Sequence, residues 1–202
     1  MANADLFRQL GLFVARDFFD AAACAELRAA ASAATSTAAT VYDGTDRRKL
    51  DATTRRTLRP HVDADILTRV TSRIMAMKPA VERHFQLVLT TCSEPQFLVY
   101  RVGDFFAAHA DGGDDPADPE GIRLRKVSLV IFLSGEAPGA GPGFHRGGSL
   151  TFYDLMADPK LSNRGLPLTA EPGMVVAFPA STVHAVSPVV AGERYTIVSW
   201  FV

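Results

Sequence analysis

The sequence predicts a mainly β domain with helices packed outside it, a sandwich or a barrel. Three observations predict this. Helix-forming patterns are confined to the first half of the 202 residues. From Gln96 onward the chain changes to short apolar segments at fairly regular spacing. Turn-forming clusters, among them GGDDPADPEG, GEAPGAGPG and VVAGE, separate those segments. Helices first and many short strands after is the order expected of a layered β core with outer helices.

The elements follow in chain order. Gly11–Phe19 is apolar and β-leaning, as a first strand would be. Asp20 caps the run AAACAELRAAASAA, a strong helix by propensity. Residues Thr35–Pro60 mix threonine, glycine and charge and read as a loop. A second helix starts at Asp63 or Asp65, with Ile66, Leu67, Val70, Ile74 and Met75 at helical spacing. Pro79 interrupts that pattern, and helix resumes over Val81–Phe85. Strands are expected at Gln96–Val102, Lys126–Ser134, Ser149–Tyr153, Met174–Phe178, His184–Val190 and Arg194–Val202. In the second of these, Val127, Leu129, Ile131 and Leu133 share one face. No internal repeat divides the chain, so one domain spans 1–202, with helices in 1–95 and the β core in 96–202.

Composition narrows the function classes. Lys plus Arg is 21 and Asp plus Glu is 22, a net charge of −1. Nothing there draws the chain toward nucleic acid or an anionic membrane. No apolar run approaches the ~18–20 residues of a spanning helix, and the first residues lack a signal-peptide pattern. Cys24 and Cys92 make neither a disulfide framework nor a zinc knuckle. The expectation is a soluble cytoplasmic protein.

Histidines carry the chemistry. Two head a His-x-Asp triplet: His61-Val62-Asp63 and His109-Ala110-Asp111. The first precedes a helix, so Asp63 reads as a first-turn or capping carboxylate. The second ends the strand-like stretch FFAAHAD, where residues i and i+2 face the same way and can share a cation. His184, in FPASTVHAVSP, would supply a third ligand. Two histidines and a carboxylate form the facial triad of non-haem Fe(II) oxygenases. Arg194 opens the last strand. A guanidinium facing inward there needs a carboxylate partner, which a dicarboxylic co-substrate would provide. His145, in GPGFHRGG, reads as a solvated loop histidine, and Trp200 and Phe201 as core packing.

These motifs, taken together, resemble a known family. Tyr100-x-x-Gly103-x-x-Phe106-x-x-His109-x-Asp111, Gly147-Gly148-x-Leu150, Pro172-Gly173, Phe178-Pro179, His184, Arg194 and Trp200-Phe201 are similar in order and spacing to the 2-oxoglutarate/Fe(II) dioxygenases of the prolyl-4-hydroxylase type. The resemblance implies a double-stranded β-helix, a jelly-roll barrel, with the N-terminal helices outside. It implies Fe(II) bound by His109, Asp111 and His184. It places Arg194 on the distal carboxylate of 2-oxoglutarate, with the Tyr100 hydroxyl at the same end and Thr196 as a further hydroxyl. The implied activity is hydroxylation of an aliphatic C–H, using 2-oxoglutarate and O2 and releasing succinate and CO2, with ascorbate as a conceivable additional requirement. Asp111 argues for hydroxylation, since related halogenases carry a small residue there.

Substrate choice stays open at this stage. A peptidyl proline, a free amino acid and another small metabolite all suit the same chemistry. A cupin-like metal protein or isomerase is the alternative of another class, but it leaves Arg194 unexplained. Two charged stretches, Thr45–Arg59 and Gly112–Arg123, read as loops beside the site that could close on it. The second is acidic at Asp114, Asp115, Asp118 and Glu120.

Overall fold

A computed structural model describes residues 2–42, 48–113, 116, 118–139, 141–155 and 164–202. Its architecture is two antiparallel sheets packed face to face, with helices on the outer face of the larger one. The larger sheet has seven strands, in the order Phe13–Ala15, Val175–Pro179, Val127–Phe132, Arg194–Phe201, Gln96–Tyr100, Leu58–Pro60 and Ser36–Ala38. The smaller has five: Leu166–Leu168, Leu150–Phe152, His184–Val186, Phe105–His109 and Arg55–Arg56. The two sheets make the jelly-roll pair and do not close into one barrel. A three-stranded sheet of Gly135–Glu136, Phe144–Gly147 and Val189–Gly192 lies beside them.

Period-two alternation explains the layering. On the larger sheet, Phe97, Val99, Val127, Leu129, Ile131 and Ile197 pack against Cys24, Leu27, Val70, Ile74 and Val81 of the helices Ala21–Ala33 and Ala64–Phe85. The alternate residues Leu98, Tyr100, Val130, Phe132, Val176 and Phe178 face the smaller sheet and meet Leu150, Phe152, Leu168 and Val186. Both faces are therefore apolar, and the central strands read as nearly continuous hydrophobic runs.

The helix caps behave as the sequence predicts. The Asp20 carboxylate accepts from the Ala23 N–H at 2.7 Å. Asp63 is the N-cap of the second helix, without a side-chain cap bond. His61 shares a 3.0 Å hydrogen bond with the Thr37 hydroxyl, so the first His-x-Asp triplet is structural. A glycine is required where the first strand leaves for the helix. Gly173 sits at φ +82°, and a Cβ there would lie 2.0 Å from the Phe19 carbonyl oxygen.

Four expectations are corrected. Pro79 does not interrupt its helix, which runs unbroken over Ala64–Phe85. It lies on the exposed face, where water can serve the carbonyl that loses its donor, while Val70, Ile74 and Val81 hold the buried face. The Gly11–Phe19 strand is shorter, Phe13–Ala15, and the helix Ala2–Gln9 precedes it. The described residues of Thr35–Pro60 are not simply a loop. Their strands Ser36–Ala38 and Leu58–Pro60 extend the larger sheet, and Arg55–Arg56 forms an edge of the smaller one. Backbone pairing to existing strands supplied what apolar periodicity did not. Lastly, Phe144–Gly147 is a strand. Of the two stretches expected to close over the site, residues 45–47 and 114, 115 and 117 lie outside the described residues. No helix among the described residues is long and apolar enough to cross a membrane.

Candidate active site

Strand register assembles the site. His184 and His109 are direct partners across the pair of strands they terminate, which brings their ring centroids to 4.3 Å. Asp111 lies just past the end of its strand, where its backbone N–H donates to the Ala180 carbonyl at 2.9 Å. That turn aims the carboxylate back at both imidazoles. His109 Nε2 lies 3.5 Å from Asp111 Oδ1, and His184 Nε2 lies 3.6 Å from Oδ2. One ligand atom from each residue falls within 4.8 Å of the others. Among the described residues this is the one such cluster of His, Cys, Asp and Glu side chains.

Hydrogen bonds set the protonation of these ligands. Each histidine donates Nδ1–H to a backbone carbonyl two residues back, Ala107 or Thr182, at 2.9 Å. Nε2 then carries the lone pair and points into the cluster, the tautomer a metal needs. Ser128 donates to Asp111 Oδ2 at 2.7 Å. Burial pushes the Asp111 carboxyl pKa up. The adjacent His109 and His184 imidazoles and the Ser128 hydroxyl outweigh it and hold the group well below the carboxylate range. Burial pushes His184 down, partly offset by Asp111. A carboxylate beside two imidazoles that turn Nε2 toward it suits a divalent cation with open positions.

The second half of the site is the inner face of the last strand. Arg194, Thr196, Val198 and Trp200 alternate inward and line a cavity of about 800 Å³ that also contains the His/Asp/His cluster. Tyr100, Leu98 and Gln96 stand opposite on the neighbouring strand, with Arg194 and Tyr100 in direct register. Arg194 is 1% exposed. Nη1 donates to the Thr196 hydroxyl at 3.3 Å, and the guanidinium carbon lies 5.0 Å above the Tyr100 ring. Nε and Nη2 are buried without a hydrogen-bond partner. Burial pushes its pKa down. A buried guanidinium with two orphaned donors fits the carboxylate of a dicarboxylic ligand. Gly148 makes room for it: a Cβ there would lie 3.0 Å from Arg194 Cδ.

The sequence matches the 2OG-Fe(II) oxygenase superfamily over residues 95–202. The chain belongs to that superfamily. The matched region holds the whole cluster, Arg194, Tyr100 and Thr196. A PKHD-type hydroxylase of Shewanella baltica is 30% identical over 106 residues, which cover 52% of this chain and 41% of that protein. A second, from Synechococcus, is 34% identical over 110 residues, 51% of this chain and 43% of that one. The matches thus span about two fifths of these relatives' length. In structure, a Pseudomonas putida prolyl-4-hydroxylase matches with TM-score 0.66 over 99% of this chain and 96% of that one, at 22% identity. That likeness shows the prolyl-4-hydroxylase fold, helices included.

All six residues singled out for the oxygenase site, His109, Asp111, His184, Arg194, Tyr100 and Thr196, line this one cavity. His145 departs from expectation. It is 0% exposed, on a strand, with Nδ1 donating to the Gly147 carbonyl at 2.7 Å and Nε2 buried without a partner. Burial, with the nearby Arg194 charge, lowers its pKa to about 4. Trp200 is also more than packing: it lines the cavity, with the Arg125 guanidinium carbon 3.9 Å from its ring centroid. Ser128 is a participant that the sequence did not single out, whereas Arg55 belongs to the charged stretch Thr45–Arg59 expected beside the site and does line the cavity. Nothing distinguishes Ser128 from a sheet serine in sequence. The signal for Arg55 was the local run of basic residues in that stretch.

Proposed function

We propose that this chain is an Fe(II)- and 2-oxoglutarate-dependent dioxygenase that hydroxylates an aliphatic C–H of an organic substrate. The observation that carries the reading is the orphaned Arg194 guanidinium in the same cavity as the His109/Asp111/His184 cluster. A metal site alone suits many chemistries; a buried cation awaiting a carboxylate beside it suits an oxygenase with a dicarboxylic co-substrate.

His109 and His184 Nε2 and an Asp111 oxygen would hold Fe(II), which when bound supplies O2 activation coupled to decarboxylation of 2-oxoglutarate to succinate and CO2. The carbonyls of Ala107 and Thr182 keep both imidazoles in the binding tautomer. Ser128 fixes the Asp111 rotamer. Arg194 would bind the distal carboxylate, with Tyr100 and Thr196 bordering that end. The apolar lining of Leu98, Val130, Leu150 and Val186 excludes water there and strengthens the ion pair. Asp111 occupies the position that a halide would need, which supports hydroxylation. The prolyl-4-hydroxylase neighbour makes a prolyl substrate one member of the substrate class.

The test is anaerobic titration of 2-oxoglutarate into the Fe(II)-loaded protein, followed by O2. A metal-to-ligand charge-transfer band, and succinate formed only after O2 is admitted, are the expected results. Loss of the band in His109→Ala and His184→Ala is expected too. Its persistence in both would refute the assignment.

A further inference from the structure

One cation in the cavity remains unused by this chemistry. Arg55 lies on the edge strand of the smaller sheet, paired with Phe106 on the strand that carries His109. Its guanidinium carbon lies 4.5 Å above the Phe106 ring. Phe106 in turn stacks on the His109 imidazole, with centroids 3.6 Å apart and planes inclined by 19°. A cation, an aromatic ring and an iron-ligand imidazole therefore form one column along the cavity wall. The charge is held within two stacking distances of the metal cluster.

The column is held by strand pairing and ring contacts, and its charge meets no carboxylate among the described residues. Nη1 donates to the Thr40 carbonyl at 3.2 Å, and Nε is buried without a hydrogen-bond partner. No carboxylate among the described residues pairs with Arg55. The other arginines of the cavity differ. Arg59 faces Glu94 at 3.7 Å, Arg125 donates to the Asp111 carbonyl at 2.9 Å, and Arg194 is reserved for the co-substrate. A half-buried guanidinium costs desolvation, and the planar fork selects carboxylates bidentately. Its placement on a paired strand preorganises it, so binding spends little ordering entropy.

Resting on the oxygenase reading above, we propose that Arg55 recognises a free carboxylate on the primary substrate, which makes that substrate a small carboxylic acid, free amino acids included. The anionic end would sit over Phe106 and the carbon to be hydroxylated would lie toward the cluster, a few bonds away. A cavity of about 800 Å³ accommodates such a molecule together with 2-oxoglutarate. An internal prolyl residue of a peptide has no free carboxylate to offer this position.

Trp200 makes the test direct. It is the single tryptophan of the chain and lines this cavity, so its fluorescence reports occupancy without turnover. Common free L-amino acids, butanoate and hexanoate are titrated one at a time into the anaerobic Fe(II)·2-oxoglutarate protein. Each is compared with its carboxamide and with a capped prolyl peptide. At least one free acid should bind tenfold or more tighter than its amide. Arg55→Gln should remove that preference, Arg55→Lys should retain part of it, and Arg59→Gln should keep it. No acid preferred over its amide, a preference that survives Arg55→Gln, or tight binding of the capped peptide insensitive to Arg55→Gln would overturn the proposal. The charge-transfer band of the same sample separates the two readings: its absence counts against the oxygenase function, whereas its presence without acid preference counts against Arg55 alone.

Discussion

Replacing Arg194 with methionine should move stability and ligand affinity in opposite directions. The guanidinium is 1% exposed, and two of its three nitrogens lack a partner. Its one side-chain hydrogen bond is long, 3.3 Å to Thr196. The ligand-free fold therefore carries a desolvated charge with little compensation. An apolar residue of similar length should stabilise the ligand-free fold by about 1–4 kcal/mol. At roughly 2–4 °C per kcal/mol for a chain of this size, that is a rise of several degrees in Tm. The same substitution should weaken 2-oxoglutarate by about 30-fold to several-thousand-fold, the ~2–5 kcal/mol typical of losing one partner of a buried ion pair. Wild-type protein gains about 2.7 kcal/mol when 2-oxoglutarate is present at a hundred times its Kd. Thermal melts of both proteins with Mn(II) in place of iron, with and without 2-oxoglutarate, give all four numbers. The variant should melt higher without ligand, and only the wild type should shift with it. An unchanged 2-oxoglutarate midpoint in Arg194→Met would refute the clamp. A lower ligand-free Tm would refute the claim that the charge is uncompensated.

Three further outcomes are expected. Ser128→Ala removes the 2.7 Å hydrogen bond to Asp111 and should weaken divalent-metal affinity by roughly 10- to 100-fold, measured by Mn(II) titration, with little change in fold. Full affinity would mean that Asp111 is positioned without it. His145 binds its proton near pH 4 in the folded state, against about 6.5 when unfolded. Between those values the unfolded chain holds more protons, so stability falls as pH drops through that window, by up to about 3 kcal/mol. Urea melts across pH 4 to 7 should show that slope in the wild type and a shallower one in His145→Leu; identical slopes would refute it. Finally, Gly148→Ala places a Cβ 3.0 Å from Arg194 Cδ at a positive φ, and should raise the 2-oxoglutarate Kd in the same binding assay.

Most of the site was legible because its residues recur at fixed chemical spacing. His109 and Asp111 two apart, His184 at the opening of a strand and Arg194 opening the last one follow from strand periodicity and from what a buried guanidinium requires. The helix starting after Asp20 and the strand at Val127–Phe132 were legible from a cap and an alternation. Other features were hidden where tertiary contacts override local pattern. Arg55–Arg56 carries no apolar signal and is a strand because the Phe105–His109 backbone pairs with it. Pro79 is tolerated because its face of the helix is exposed. His145 sits among loop residues in sequence, yet Gly147 and Gly148 turn the chain at positive φ and fold it inward. The column of Arg55, Phe106 and His109 joins two strands far apart in sequence, a geometry that one-dimensional spacing does not encode.

The central claim is that one cavity holds iron and 2-oxoglutarate for an O2-dependent reaction. The most direct measurement is the stoichiometry of 2-oxoglutarate consumed, succinate formed and O2 taken up by the Fe(II)-loaded protein, followed by NMR and an oxygen electrode. The account predicts equal amounts of all three, even for the slow reaction without primary substrate, and none in His184→Ala. Consumption of no 2-oxoglutarate by the iron-loaded wild type, or undiminished consumption by His184→Ala, would contradict it.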